Sequence, residues 1–186
     1  MNNEWGNDGS NINVQVRNSI AQKILYDILL ADPPWRYSFS KSKSRKIENQ
    51  YPTMSLQEIK ELKVPAKDNC LLYLWATAPK LKEALEVMEA WGFTYKTHAI
   101  WDKQKIGMGY WFRGQHELLL VGVKGKFSPP EPCQRISSVY RVERGKHSAK
   151  PVWFHSWIDR WYPDMSKLEM FARERVPGWD AWGDEV

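Results

Sequence analysis

Asp32-Pro33-Pro34-Trp35 is the segment of this 186-residue chain whose residue types could do chemistry together. Two consecutive prolines lack backbone donors and fix φ, which leaves their carbonyls to accept hydrogen bonds from a ligand. Asp32 adds a carboxylate acceptor and Trp35 a flat stacking face. Acceptors beside a stacking plate suit a flat base bearing an exocyclic amino group. The amine's protons go to Asp32 and a proline carbonyl, and its lone pair turns toward an electrophile. Asp32 need not be a strong base, because an aryl amine gives up its proton readily once alkylated. The same four residues also fit an Asx-type turn with Trp35 packed on a sheet edge. The tetrapeptide alone does not choose between the two.

Its position in the chain matters more. Ile24–Ala31 is a short, mostly apolar run that reads as a buried strand, so the tetrapeptide begins where that strand ends. Ser55 and Glu58 form a capping box that opens a short helix to about Lys63, closed by Pro65. Cys70–Ala76 reads as a second buried strand. Leu81, Ala84, Leu85, Met88 and Trp91 keep helical spacing up to Gly92. Thr94–Trp101 and His116–Val123 are further strands. A helix is expected from Pro151 to Trp161, a last buried strand at Leu168–Ala172, and an edge in the Trp-rich tail beyond it. Alternating strands and helices predict an α/β fold of Rossmann-like type, an open and mostly parallel sheet with helices on both faces. Such sheets bind ligands beyond the carboxyl ends of their strands. Residues 1–20 read as a polar tail and 21–186 as a single domain.

Twenty-seven Lys+Arg against 22 Asp+Glu give a net charge of +5. The excess is concentrated. Residues 36–50 carry five basic residues (Arg36, Lys41, Lys43, Arg45, Lys46) against one Glu, and residues 135–150 again five against one, including Arg135, Arg141 and Arg144. The other 155 residues sum to −3. Two basic, loop-like clusters suit a polyanion, so nucleic acid is the expected partner. No apolar run is long enough to span a membrane, and the polar N-terminus is not expected to be a signal peptide. Cys70 and Cys133 form neither a disulfide framework nor a metal clip, which predicts a reducing, cytoplasmic setting. The four histidines have no metal-ligand spacing, so no metal is expected. Trp153, Trp157 and Trp161 read as helix packing. Trp101 and Trp111 flank a glycine-containing loop where an exposed ring could wedge against an unstacked base.

The strand followed by Asp32–Trp35, together with Tyr-Pro-Thr-Met-Ser (51–55), Leu-Tyr-Leu-Trp-Ala-Thr (72–77), Trp-Gly-Phe (91–93), Ala-Ile-Trp-Asp-Lys (99–103), 117–125, His-Ser-Ala-Lys-Pro (147–151) and Leu-Glu-Met-Phe-Ala-Arg (168–173), resembles one family across residues 24–185. That family is the circularly permuted N6-adenine methyltransferases, to which the catalytic subunit of the mRNA N6-adenosine methyltransferase belongs. The resemblance implies S-adenosylmethionine as cofactor and a Rossmann-like methyltransferase fold with permuted motif order. It implies that Asp32, Pro33, Pro34 and Trp35 hold the target adenine beside the cofactor methyl, with Tyr51 near the base. Lys150 would contact the cofactor's carboxylate, and Glu169 and Arg173 its ribose, with Asp32 bordering the cofactor. Arg175, Asp184 and Glu185 stand where relatives place other cofactor contacts; this chain departs from the usual His and Asn there. It also has no G-x-G-x-x-G.

The expected activity is adenine-N6 methylation, with DNA placed ahead of RNA in a prokaryotic or phage-like setting. The alternatives are an RNA N6-adenosine methyltransferase and a non-catalytic, nucleic-acid-binding methyltransferase-like subunit. A homodimer or a methyltransferase-like partner subunit remains open.

Overall fold

Period-two alternation along the central strands decides which side chain meets which layer. The structure, a computed structural model, describes residues 24–37, 53–145, 150–183 and 186. The tail at 1–20 lies outside these residues. Strand β1 (Tyr26–Ala31) sends Leu29 and Ala31 to one face and Ile28 and Leu30 to the other. Strand β2 (Ala66–Thr77) does the same, with Leu72, Leu74 and Ala76 against one layer and Leu71, Tyr73 and Trp75 against the other. Both strands are buried on both faces, which is why they read as nearly continuous apolar runs.

The first face is covered by α1 (Leu56–Glu61) and α2 (Leu81–Ala90) through Ile59, Ala84, Val87 and Met88. The expected capping box is present: Glu58 N–H donates to Ser55 Oγ at 3.3 Å, and Ser55 N–H to the Glu58 carboxylate at 2.7 Å. Helix α2 stops at Gly92, whose φ of +83° suits the left-handed position after a helix. The second face is covered by α3 (Trp153–Trp161), which inserts Phe154 and Ile158. Its three tryptophans pack on the shoulders of that stripe, as expected of a packing helix. The helix starts two residues later than expected, with Lys150 and Pro151 ahead of it.

Strands β3 (Thr94–Asp102), β4 (His116–Lys124), β5 (Val139–Arg141), β6 (Lys167–Met170) and β7 (Asp180–Trp182) complete one seven-stranded sheet in the order β5-β3-β4-β2-β1-β6-β7. Only β4 runs against the others. The mostly parallel sheet with helices on both faces is the expected fold class. Several details differ from expectation, and β1 starts at Tyr26 instead of Ile24. β2 begins at Ala66, because the polar Lys-Asp-Asn stretch before Cys70 still pairs, with Tyr26 opposite Ala66. β5 arises inside a basic segment that read as loop. The strand expected at Leu168–Ala172, β6, ends at Met170, because Phe171 turns into a left-handed conformation, φ 64°. Among the described residues, no helix is long and apolar enough to cross a membrane.

Candidate active site

Six parallel strands point their carboxyl ends to one edge, and the reversed β4 starts there. Its register places Glu117 opposite Thr77 at the end of β2 and opposite Trp101 near the end of β3. Asp32 leaves β1 at the same edge, its N–H donating to Met170 O on the neighbouring β6 at 3.4 Å. Lys150, just before α3, reaches into the gap. Its ammonium lies 2.7 Å from Asp32 Oδ2 and 3.3 Å from Glu117 Oε2. Glu117 in turn accepts from Lys103 Nζ at 3.0 Å. The result is a chain of alternating charge, Asp32–Lys150–Glu117–Lys103, drawn from four separate segments.

Burial and neighbours set the charge state of each member. Burial pushes the Asp32 carboxyl up more than Lys150 pulls it down, and Glu117 adds to the rise while the Arg173 guanidinium opposes it. Burial also acts upward on Glu117, but Lys150 and Lys103 together outweigh it and hold that carboxyl below its ordinary value. For Lys150 burial acts downward, and the two carboxylates overcome it, so the ammonium is held above its usual range. Glu117 is a carboxylate and Lys150 an ammonium at neutral pH. Asp32 is the member whose proton is most easily restored.

The two prolines are less open than the sequence suggested. Pro33 O accepts from Trp35 N–H at 2.8 Å and Pro34 O from Met54 N–H at 2.9 Å. Each carbonyl keeps one further lone pair. Trp35 differs more clearly from the expected stacking face. It is 6% exposed, lies in the core under β2, and donates its indole N–H to Trp75 O at 3.3 Å. An indole beside Leu74 and Met54 gains more from burial than from facing solvent, so here it forms the floor of the Asp32 turn.

Glu169 lies on β6 opposite Leu30, one strand across from Asp32. Its Oε2 accepts from His155 Nε2 at 2.8 Å; the other oxygen remains for a ligand. Helix α3 therefore serves both halves of the site, with Lys150 ahead of its first turn and His155 inside it. At the end of β7, Trp182 Nε1 is buried without a hydrogen-bond partner, and Trp182 packs on Phe171 with ring centroids 4.9 Å apart. Arg173 and Arg175 are exposed beyond β6, and the charge of Arg173 acts on Asp32. Tyr51, Asp184 and Glu185 lie outside the described residues.

The basic clusters divide in the same way. Arg36 is exposed and donates to Thr53 Oγ1 and Thr53 O, both at 3.4 Å. Arg141 ends β5 at the site edge, 3.8 Å from Asp102, and Arg144 N–H donates to Lys103 O at 3.4 Å. Arg135 precedes β5 and donates to Pro130 O, so it belongs to the opposite end of that strand. Lys41, Lys43, Arg45 and Lys46 lie outside the described residues. A cavity of about 550 Å³ over the β2–β4–β3 face is lined by residues such as Leu119, Val121 and Trp157 and contains no carboxylate. It does not include Asp32 or Lys150.

Glu117, Lys103 and His155 were missed in the sequence. Glu117 is the second letter of an apolar strand, and His155 is flanked by tryptophans; neither has a local signal. An acceptor at the end of β1, an ammonium held beside it and a carboxylate one strand away can together grip a polar ligand lying across the carboxyl edge.

The MT-A70 family matches residues 26–185. The chain is similar to the type II methyltransferase M.MunI of Mycoplasma sp, 36% identical over 182 residues that cover 87% of this chain and 78% of that protein. It is similar to the N(6)-adenosine-methyltransferase catalytic subunit METTL3 of Homo sapiens, 29% identical over 87% of this chain and 28% of that one. It is also similar to the N(6)-adenine-specific methyltransferase METTL4 of Mus musculus, 30% identical over 87% and 37% respectively. The chain thus spans little more than a third, at most, of these two animal proteins.

Proposed function

The chain belongs to the MT-A70 family, and from that premise we propose that it is an S-adenosylmethionine-dependent methyltransferase acting on adenine N6 in DNA. The observation that carries this reading is the Asp32 carboxylate at the end of β1, held by Lys150 next to two proline carbonyls that each keep a lone pair. DNA is favoured over RNA because the chain is 36% identical to a bacterial type II methyltransferase and 29% identical to METTL3. A cytoplasmic prokaryotic or phage setting accords with the same match. Residues 21–186 would act as one methyltransferase unit. We read the motif order as permuted, since the acceptor strand β1 precedes the cofactor strand β6 in the chain.

The donor set fits the cofactor. Lys150 has a third N–H beyond those directed at Asp32 and Glu117, which suits the methionine carboxylate. Glu169 has an oxygen not bonded to His155, which suits the ribose hydroxyls. The orphaned Trp182 N–H marks a third polar contact awaiting an acceptor. Arg173 and, beyond it, Arg175, Asp184 and Glu185 would complete this side. The cofactor supplies an electrophilic methyl group on a sulfonium.

The chain's own residues do the rest by positioning. Asp32 accepts one N6 hydrogen and the remaining lone pair of Pro33 or Pro34 the other. Both acceptors fix the amino plane, so the nitrogen lone pair points at the methyl instead of conjugating with the ring. Holding the nucleophile in that orientation removes an entropic part of the barrier. With the cofactor bound, the amino nitrogen would take the methyl carbon that the sulfonium gives up, and the extra proton would leave the alkylated nitrogen through Asp32 or water. Tyr51 would border the base, Trp35 would support the turn from below, and Arg36, Lys41, Lys43, Arg45, Lys46, Arg141 and Arg144 would meet the phosphate backbone.

Two measurements test this. Labelled methyl should pass to N6 of adenine in DNA oligonucleotides, and more slowly to matched RNA; equal or faster RNA methylation would assign the RNA alternative. Transfer to neither would leave a non-catalytic binding subunit. Glu169→Ala should weaken S-adenosylmethionine binding by about 1.5–3 kcal/mol, the scale of a hydrogen bond to a charged group. Calorimetric titration showing unchanged affinity in a folded variant would place the ribose elsewhere.

A further inference from the structure

The most exposed large apolar side chains among the described residues are at the tip of the β3–β4 connection, where Tyr110, Trp111 and Phe112 are 89%, 94% and 90% exposed. Three consecutive aromatic rings in water are costly to keep unless something covers them. The tip is built to hold its shape. Gly107 N–H donates to Gly114 O at 2.8 Å, Arg113 Nε to Gly107 O at 2.7 Å, and Gly114 N–H to Met108 O at 3.3 Å. A Cβ on Gly109 would lie 1.9 Å from Phe112 O. Glycine there lets the carbonyl turn inward, and the three ring-bearing residues face out.

The base of this hairpin is tied to the active site. Lys103 N–H donates to Gln115 O at 2.9 Å, Gln115 Nε2 to Asp102 Oδ1 at 2.8 Å, and Lys103 Nζ to Glu117, which holds Lys150. Residues 103–115 contain Lys103, Lys105 and Arg113 and no acidic residue; Lys103 pairs with Glu117 and Lys105 with Glu143, which leaves Arg113 as the stem's cation without a carboxylate partner among the described residues. Arg141 and Arg144 stand beside the hairpin's base. An aromatic tip on a cationic stem complements a polyanion whose interior is flat and stacked. A protein partner would match the rings but not the charge.

Resting on the reading of an adenine-N6 methyltransferase acting on duplex DNA, we infer that this hairpin is a wedge whose Trp111 and Phe112 enter the base stack and fill the gap left by the extruded adenine. A target base must leave the duplex to reach an atom on its pairing edge, and inserted apolar side chains are a known means of holding a duplex open. The hairpin springs from the carboxyl edge that carries Asp32, so wedge and pocket lie on the same side of the sheet. Tyr110 flanks the pair, and Arg113, with Arg141 and Arg144 at the hairpin's base, meets the adjoining phosphates.

The experiment uses the full chain and its Trp111→Ala/Phe112→Ala variant, with fluorescence anisotropy on an intact duplex, the same duplex with an abasic site, and a single strand. Methylation of duplex and single-stranded oligonucleotides is followed in parallel. The wild type should bind the abasic duplex about 10- to 100-fold more tightly than the intact one, because the gap is prepaid. The double variant should lose most of that preference and methylate duplex at least 10-fold more slowly, with single-strand methylation and cofactor affinity unchanged. Trp111→Phe should keep most of the preference. A wild type without preference for the abasic duplex, or a variant that keeps it, overturns the wedge. So does loss of duplex activity that tracks dissociation of a dimer in sedimentation, which would give the tip to a second copy of the chain. If the wild type methylates no adenine, the enzymatic reading fails, and the abasic preference alone still decides the wedge.

Discussion

Asp32→Ala should lower methyl transfer to adenine by about 10²–10³-fold, the cost of losing one preorganised hydrogen-bonding group aimed at a reacting atom. The alanine leaves the strand, the prolines and the Trp35 packing in place, so the loss reports on the acceptor. The amino group keeps only a proline lone pair to orient it, and its own lone pair returns to conjugation with the ring. Asp32→Asn is the sharper variant. It keeps an acceptor oxygen but cannot offer Lys150 a charge, so its rate should fall between the two. Cofactor affinity by calorimetry should change far less than turnover in both. Single-turnover transfer at near wild-type rate in Asp32→Ala would remove Asp32 from the reaction.

Lys150→Met should act on stability, on cofactor binding and on the pH profile together. Removing one partner of a buried pair strands the other charge; here Asp32 loses its ion-pair partner while Glu117 keeps Lys103, and the cost at neutral pH is about 3–5 kcal/mol by urea denaturation. Burial already raises the Asp32 carboxyl, and Lys150 is the strongest influence pulling it down. A carboxyl raised in the folded state binds its proton more tightly there than in the unfolded chain. Its ionisation therefore lowers stability as pH climbs through the raised value. The variant should accordingly recover part of its loss as pH falls, when Asp32 takes up a proton. Glu117 has the opposite sign. Its carboxyl is held low in the wild type, so the stability it contributes is present above the unfolded value of about 4.3 and is lost as pH falls through the lower folded value. In activity, the acid limb of the wild-type profile should lie above the ordinary aspartate range and move higher still in Lys150→Met at saturating cofactor. An unmoved limb would show that the group titrating there is not Asp32.

How much of this was legible depended on whether a signal was local. The apolar runs around Leu29 and Leu72 announced strands buried on both faces, and the position of Asp32 after the first of them pointed to the carboxyl edge. The Ser55–Glu58 cap is a four-residue motif and was read correctly. Trp35 was not, because whether an indole faces solvent or core depends on Trp75 and Met54, which only the fold brings to it. The proline carbonyls were miscounted for the same reason: Met54 N–H arrives from a segment some 20 residues away. Glu117 and Lys103 were invisible because a reversed strand delivers its first residues, not its last, to the working edge. β5 was missed because three residues in a basic stretch carry no periodicity. His155 meets Glu169 only after α3 and β6 have docked.

The place of β1 in the middle of the sheet has a kinetic consequence. Its neighbour on one side, β2, follows closely in sequence, but on the other side Tyr26 and Asp27 bond to Asp180 and Ser166 across 154 and 139 residues. Loop closure over such separations is slow, and during synthesis the β6 edge of β1 stays uncovered until those residues emerge. An apolar strand with one open edge is a hazard for mispairing. The half of the chain bearing Asp32 must therefore wait, partly folded, for the half bearing Lys150 and Glu169. Folding speed, and the load this chain places on chaperones, should be governed by the arrival of the segment that carries Lys150, Ser166 and Asp180.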